Sequence, residues 1–144
     1  MKFYDDMRIQ EMEEGKQYAI TQGGNGFSDG VWVVRHGDEI EVRHFWSEIT
    51  EEDQEKDIYT YHEEDNVWYP RQLDDDRIDV VHKDLMQVIP DAIGYIYEDM
   101  TLSEHYELVV MGVNGLYWEG YRYPKHLKGK FKTYDREKNL LFTN

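Results

Sequence analysis

The sequence VWVVRHGDEIEVRHFW occupies residues 31–46, and in it apolar and polar residues alternate on both sides of Gly37-Asp38. Successive side chains of a β-strand point to opposite faces, so this pattern predicts two strands joined by a tight turn. In the second strand, Ile40, Val42 and His44 share one face, and Glu39, Glu41 and Arg43 share the other. One apolar face and one polar face are typical of an antiparallel sheet.

The composition of the 144 residues favours the same fold class. Ile and Val together number twenty, Tyr twelve and Ala only two, and β-branched and aromatic residues are enriched in strands. No Pro/Gly/Ser-rich linker divides the chain. We therefore expect one acidic globular domain over residues 1–144, with an α+β fold: a mainly antiparallel twisted sheet built from hairpins, with one or two short helices. Further strands are predicted at 16–22, 58–62, 67–72, 93–97, 128–133 and 139–142.

Two segments fit both helix and strand. Apolar residues at 78, 81, 85 and 89 have the spacing of one helix face and favour a helix that ends at Pro90, although β-branched Val80 and Val81 also fit a strand followed by a short helix. Thr101 and Glu104 have the spacing of a capping box before a helix. However, Asn114-Gly115 between two apolar runs is a strong hairpin signal, and it favours strands at 106–113 and 116–123.

Charge is distributed unevenly along the chain. The 31 Asp and Glu residues exceed the 16 Lys and Arg residues, for a formal net charge of −15. Residues 122–138 contain seven bases and two acids, or +5, so the remainder carries −20. Such a body repels nucleic acid and attracts basic proteins over long distances.

The chain also has no Cys, no secretory h-region and no apolar run long enough to span a membrane, so we expect a cytoplasmic protein with no membrane partner.

The most acidic tract lies between residues 48 and 65. If 51–57 is extended, alternate carboxylates project from one face at intervals of about 6.7 Å, comparable to the phosphate spacing of a nucleic-acid strand. Glu39 with Glu41, and 74–79, offer shorter carboxylate rows. The acidic residues expected to bind a partner are Glu48, Glu51, Glu52, Asp53, Glu55, Asp57, Glu63, Glu64 and Asp65. The expected aromatic anchors are Phe27, Tyr59, Tyr61, Trp68 and Tyr69.

This pattern predicts a small inhibitor that occupies the basic surface of a nuclease or another nucleic-acid-handling enzyme, as phage proteins do against host defence. A first alternative is a small nucleic-acid-binding module. Its C-terminal segment interleaves aromatic residues with Arg122, Lys125, Lys128, Lys130 and Lys132, and in an extended segment the last three share one face. An edge strand protected by lysines would produce the same pattern.

A second alternative is a carboxylate-based or metal-dependent hydrolase, which requires acids that converge in a cleft. The sequence contains no HExxH, GxSxG or P-loop motif, and the glycine-rich loop at 23–30 departs from GxGxxG at Asp29. His82 and His105 fall on apolar faces, where a hydrogen-bonded core histidine is commoner than a catalyst. We therefore expect no cofactor and no metal, and a binding protein more than an enzyme.

Overall fold

The computed structural model describes residues 3–21, 30–44, 60–62, 67–69, 77–135 and 137–144. The strands are β1 (Gln17–Thr21), β2 (Gly30–His36), β3 (Glu39–Arg43), β4 (Thr60–His62), β5 (Val67–Tyr69), β6 (Ile78–His82), β7 (Phe131–Tyr134) and β8 (Leu140–Thr143). Six of them form an antiparallel sheet in the order β1-β2-β3-β6-β7-β8, and β4 pairs with β5 in a separate antiparallel ribbon. With its helices, the chain has the predicted α+β fold.

The hairpin predicted at residues 31–46 is confirmed as β2 and β3. Val33 pairs with Val42 and His36 with Glu39, and Gly37 in the turn has φ +60°, a backbone conformation that favours glycine. Ile40, Val42 and His44 are buried, whereas the alternate residues of β3 are partly exposed. The strand predicted at 16–22 is confirmed as β1, and the pair predicted at 58–62 and 67–72 is confirmed over its described residues as the short ribbon of β4 and β5. The parts of these predicted strands at 22, 45–46, 58–59 and 70–72 lie outside the described residues.

The preferred helix at residues 78–89 is wrong, and the competing interpretation is confirmed. β6 lies inside the sheet between β3 and β7, and only the single turn α1 (Lys83–Met86) follows it. Strand pairing on both sides of β6 suits its β-branched residues, whose side chains are stiff in a helix. His82 ends the strand, and its Nδ1 accepts a hydrogen bond from the backbone N–H of Asp84, which caps α1.

The hairpin expected around Asn114-Gly115 is also wrong. One continuous helix, α2, runs through three segments: Leu102–Glu107, Leu108–Asn114 with π-type hydrogen bonding, and Gly115–Trp118. The capping box that predicted a helix is present, since Thr101 Oγ1 accepts from Glu104 N at 3.1 Å and Glu104 Oε2 accepts from Thr101 N at 3.0 Å. This cap and the buried apolar face of the helix outweigh the local preference of Asn-Gly for a turn.

The core lies between α2 and one face of the sheet. Its largest fully buried side chains include Tyr18, Phe131, Ile9, Ile20, Ile40, Leu85, Met86, Ile89 and Leu102. Residues 93–97, expected to form a strand, instead form turns that lead into a 3-10 turn at Tyr97–Asp99. The strand predicted at 139–142 is confirmed as β8, and the one predicted at 128–133 is confirmed only from Phe131 onward, as β7. Of these two, β8 lies at the sheet edge, because β7 pairs with both β6 and β8. Among the described residues, no helix is long and apolar enough to cross a membrane.

Candidate functional site

The structure leaves the predicted acidic site mostly unplaced. Residues 45–59 and 63–66, which contain all nine predicted acidic contacts and Tyr59, lie outside the described residues, as does Phe27. Tyr61, Trp68 and Tyr69 are placed by their backbone in the ribbon of β4 and β5, where Tyr61 pairs with Trp68. These residues stay predictions. In the shorter row at 74–79, Asp79 is fully buried, so it contributes no surface carboxylate.

A different surface combines apolar and acidic side chains, and we call it the 88–99 loop. Its buried anchors are Ile89, Ala92 and Tyr97. Between these anchors, Ile93 and Ile96 are 84% and 68% exposed, and Tyr95 is about half exposed at 48%. Ile93 and Ile96 are three positions apart in the sequence, so their Cα atoms lie within roughly 10 Å of each other. The loop therefore presents a local apolar patch of the kind that marks interaction sites.

The 88–99 loop is held firmly by the rest of the fold. Arg35 forms two hydrogen bonds to the carboxylate of Glu98, at 3.1 and 3.2 Å, and Gln10 Nε2 donates to Asp99 Oδ1 at 2.9 Å. Backbone bonds from Ala92 N, Ile93 N and Tyr95 N close consecutive turns. On the inner side, a Cβ added to Gly112 of α2 would lie 2.8 Å from Ile89 Cδ1, so the helix and the loop approach each other closely there. The exposed apolar residues thus sit on a fixed support.

The chain segment that contains this loop is acidic, although Arg35 of β2 contacts Glu98. Residues 84–121 contain seven acids and neither Lys nor Arg. Glu98 and Asp99 are engaged within the fold, but Asp91 and Glu107 are exposed and have no ion-pair partner among the described residues. Met111, beside Gly112 on α2, is also exposed. The absence of Lys and Arg over these 38 residues is the feature of the sequence that could have indicated this surface. The number of acids alone would not have indicated it.

At the other end of α2, a groove with a cavity volume of about 690 Å³ opens between the helix end and the C-terminus. Three tyrosines and three cations line it: Tyr117, Tyr121, Tyr123, Arg122, Lys125 and Lys128. We call this the aromatic groove. Its volume lies within the range of about 300–1,000 Å³ that is usual for small-molecule sites. Among its described lining residues none is acidic, in contrast to the 88–99 loop.

Two of the tyrosines are fixed by neighbouring groups. The ring of Tyr117 stacks on that of Phe142 with centroids 4.4 Å apart, and Tyr123 donates a hydrogen bond from its hydroxyl to the carbonyl of Val113 at 3.4 Å. Burial, with a smaller contribution from Tyr121, raises the pKa of Tyr123. Tyr121 packs edge-on against Tyr123 at 4.9 Å and keeps about half of its surface exposed. The groove therefore offers one free aromatic surface beside two held ones.

The five predicted nucleic-acid contacts divide into two groups. Arg122, Lys125 and Lys128 line the groove, whereas Lys130 and Lys132 do not. The expectation that Lys128, Lys130 and Lys132 share one face of a strand is wrong. Lys128 ends a 3-10 turn, Gly129 follows with φ +78°, and β7 begins only at Phe131. Lys128 therefore precedes a turn in the backbone and does not lie in the strand that contains Lys132.

Asn144 closes the wall of the groove through its backbone and its side chain. Its Oδ1 accepts from Phe131 N at 2.9 Å, and its Nδ2 donates to the carbonyl of Leu127 at 3.0 Å. Its backbone N–H donates to the carbonyl of Phe131, and its carbonyl accepts from Gly129 N. The loop that carries Lys125 and Lys128 is thus pinned to the end of β8.

A buried polar cluster lies under α2. Its centre is Asp79, whose Oδ2 lies 2.9 Å from His44 Nε2 and accepts from Arg77 Nε and Asn114 Nδ2, both at 3.2 Å. The other oxygen, Oδ1, accepts from Thr133 Oγ1 at 2.6 Å. Burial opposes ionisation of Asp79, but the bonds and charges of these neighbours outweigh it and lower the pKa of the carboxyl. The cluster links β6, β7 and α2 around an ionised carboxylate.

Two further polar features bear on the hydrolase alternative. A cavity of about 280 Å³ on the opposite sheet face is lined in part by Glu39 and Glu41, and Glu41 accepts from Arg43 at 3.1 Å and lies 3.4 Å from His36 Nε2. Within the described ranges, no group of three or more His, Asp and Glu side chains could hold a metal ion. Arg43 forms an ion pair with Glu41 on this sheet face, and the His36 ring lies against the same carboxylate.

His105 departs from its expected environment. It is fully buried on α2, as predicted, but in the part of the chain that the structure describes neither ring nitrogen has a hydrogen-bond partner. Its ring packs nearly perpendicular to that of Tyr97, with centroids 6.3 Å apart. Burial lowers the pKa of His105 to about 4, so the ring is neutral at neutral pH.

Comparison of the chain with models of known protein families, with curated protein sequences and with solved structures finds no match.

Proposed function

We propose that this protein is a noncatalytic, acidic binding protein that occupies the basic nucleic-acid-binding surface of a nuclease or another nucleic-acid-handling enzyme, in the cytoplasm of the cell that contains that enzyme. Inhibition follows because the protein and the nucleic acid compete for one surface. An anti-defence role in a phage infection fits this activity.

The observation that carries the proposal is the 88–99 loop. Ile93 and Ile96 are exposed on a loop that Arg35, Gln10 and Gly112 hold in place. Apolar side chains on a rigid support lose little conformational freedom when they bind, so they can act as anchors. No Lys or Arg lies within residues 84–121, and Asp91 and Glu107 are exposed there, so this segment can contact a partner surface rich in basic residues.

The acidic tract at 48–65 supplies a second part of the same proposal. Its carboxylates add to the long-range field that attracts a basic partner, whereas the 88–99 loop supplies short-range contact. We therefore expect the two to affect different rate constants. Reversal of Glu51, Asp53 and Glu55 to Lys slows association, most strongly at low salt, and loss of the loop's apolar residues speeds dissociation.

Affinity capture tests the proposal. The tagged protein is incubated with a nuclease-treated lysate, washed at rising salt, and its partners are identified by mass spectrometry. The loop variant Ile93→Ser/Ile96→Ser should lose the specific partner. The matched control Leu140→Ser/Leu141→Ser removes two half-exposed apolar residues of β8, away from the loop. This control should retain the partner. Capture of the same partner by both variants would contradict the role of the loop, and an acidic partner would contradict the proposed function.

A further inference from the structure

We propose that the aromatic groove binds a nucleotide, either free or within a single-stranded nucleic acid. In this arrangement Lys125, Lys128 and Arg122 contact phosphate, and the base stacks on the exposed ring of Tyr121. This binding site is separate from the 88–99 loop, and its ligand differs from the protein partner proposed above. Different measurements therefore test the two proposals.

The combination of side chains selects this ligand chemistry. Single-strand binding sites pair cations that follow the phosphates with aromatic rings on which bases stack. The groove brings Arg122, Lys125 and Lys128 together with Tyr117, Tyr121 and Tyr123 around one cavity. An acidic peptide would satisfy the cations but has no flat base to cover Tyr121, so the aromatic lining favours a nucleotide.

The groove is formed by the protein's own contacts. Stacking on Phe142 fixes Tyr117, and the bond to the carbonyl of Val113 orients Tyr123. Asn144 joins the carbonyl of Leu127 to the end of β8, which fixes the turn that presents Lys125 and Lys128. A site that exists before its ligand arrives avoids part of the entropy cost of binding.

Local charge lets the groove bind an anion despite the acidic body. In the described part of the chain, Arg122, Lys125 and Lys128 form no ion pair, so their charges are available to a ligand. Charges are screened beyond about 8 Å at physiological ionic strength. A phosphate inside the groove therefore interacts mainly with these three cations. The −20 of the remaining chain weakens binding at low salt more than it does at physiological salt.

The direct test is fluorescence anisotropy with a labelled oligothymidylate of about eight nucleotides, at roughly 50 to 200 mM salt, where phosphate contacts dominate the salt dependence. Lys125→Gln/Lys128→Gln should weaken binding at least tenfold. It should also reduce the slope of log K against log salt by about 1.4, since each single-strand phosphate contact contributes about 0.7. Tyr121→Ala should weaken binding about tenfold or more through lost stacking.

Controls identify the ligand and the surface. Lys130→Gln/Lys132→Gln removes the same charge outside the groove and should change affinity less than threefold. Competition by thymidine monophosphate at a similar affinity would identify a free nucleotide, and much weaker competition would identify a strand. Three outcomes would overturn the proposal: no binding of either nucleotide probe by the unmodified protein, equal losses in both lysine variants, or equally strong competition by poly-glutamate.

Discussion

His44 Nε2 lies 2.9 Å from Asp79 Oδ2, and both side chains are buried between the sheet and α2. His44 immediately follows β3, Asp79 lies within β6, and Asn114 brings α2 to the same carboxylate. A buried carboxylate is tolerated only when donors surround it, and Asp79 has four neighbours that supply them. The cluster therefore specifies how the helix sits on the sheet.

Loss of the Asp79 carboxylate should destabilise the fold strongly. Asp79→Ala removes the carboxylate to which Arg77, Asn114 and Thr133 donate, and breaking a buried ion pair from one side typically costs about 3–5 kcal/mol. Denaturant unfolding measures the change in the free energy of unfolding. Asp38→Ala, which removes an exposed carboxylate paired with Lys83, is the control and should cost less than about 1 kcal/mol. Equal effects of the two substitutions would refute the central role of Asp79.

His105 should make stability depend on pH. Its pKa is lowered from about 6.5 in the unfolded chain to about 4 in the fold, so the unfolded state binds more protons between these values. The stabilisation is fully present above pH 6.5 and is lost as pH falls towards 4, by roughly 3 kcal/mol. His105→Leu should flatten the curve of unfolding free energy in this window. The stabilisation that the Asp79 carboxylate provides is lost only below about pH 4, because the fold lowers the pKa of Asp79 below its usual value. An unchanged slope in the variant would exclude His105 as its source.

The contact between Gly112 and Ile89 should appear as a coupling energy. Gly112→Ala places a Cβ 2.8 Å from Ile89 Cδ1, so we expect it to destabilise the protein. Ile89→Val removes Cδ1, and in that background the alanine should be neutral or stabilising because alanine favours helix by about 1 kcal/mol over glycine. A double-mutant cycle of unfolding free energies measures the coupling, expected at about 1 kcal/mol. Strict additivity would mean that the helix and the loop do not meet there.

Asn144 should control the rigidity of the aromatic groove. Asn144→Ala removes the acceptor for Phe131 N and the donor to the carbonyl of Leu127, and each such bond is worth about 1 kcal/mol. We expect faster amide exchange at Phe131 with unchanged exchange in β2. Asn139→Ala, whose side-chain amide donates to Asp135 at 3.1 Å, is the matched control. The prediction fails if Phe131 remains as protected in Asn144→Ala as in the control.

The sheet could be predicted from the sequence because its signals are local. The β2 and β3 pattern has a period of two around a glycine turn, and one face of β3 is apolar. The predictions that were wrong concern segments whose structure depends on non-local contacts. Val80 and Val81 become strand because β6 has partners on both sides, and Asn114-Gly115 stays helical because α2 buries one face on the sheet and Asn114 reaches Asp79.

The candidate surfaces were only partly predictable. The sequence groups the five cations from Arg122 to Lys132 with the aromatic residues between them. It does not show that Lys128 ends a 3-10 turn and that Gly129, with φ +78°, separates it from Lys130, because this geometry depends on non-local contacts such as those of Asn144. The 88–99 loop could not be predicted as a surface from the sequence, because apolar Ile93 and Ile96 are typical of buried strand residues. Their exposure becomes evident only from the fold, in which Ile89, Ala92 and Tyr97 are buried and the two isoleucines are not.

The most direct measurement is competition on the enzyme that affinity capture identifies. That enzyme is immobilised, saturated with its nucleic-acid substrate, and titrated with this protein while the release of both is followed. We predict mutually exclusive binding, with displacement of the substrate by the unmodified protein and by Leu140→Ser/Leu141→Ser, and little displacement by Ile93→Ser/Ile96→Ser. A stable ternary complex of enzyme, substrate and protein would contradict the claim that the protein occupies the nucleic-acid-binding surface.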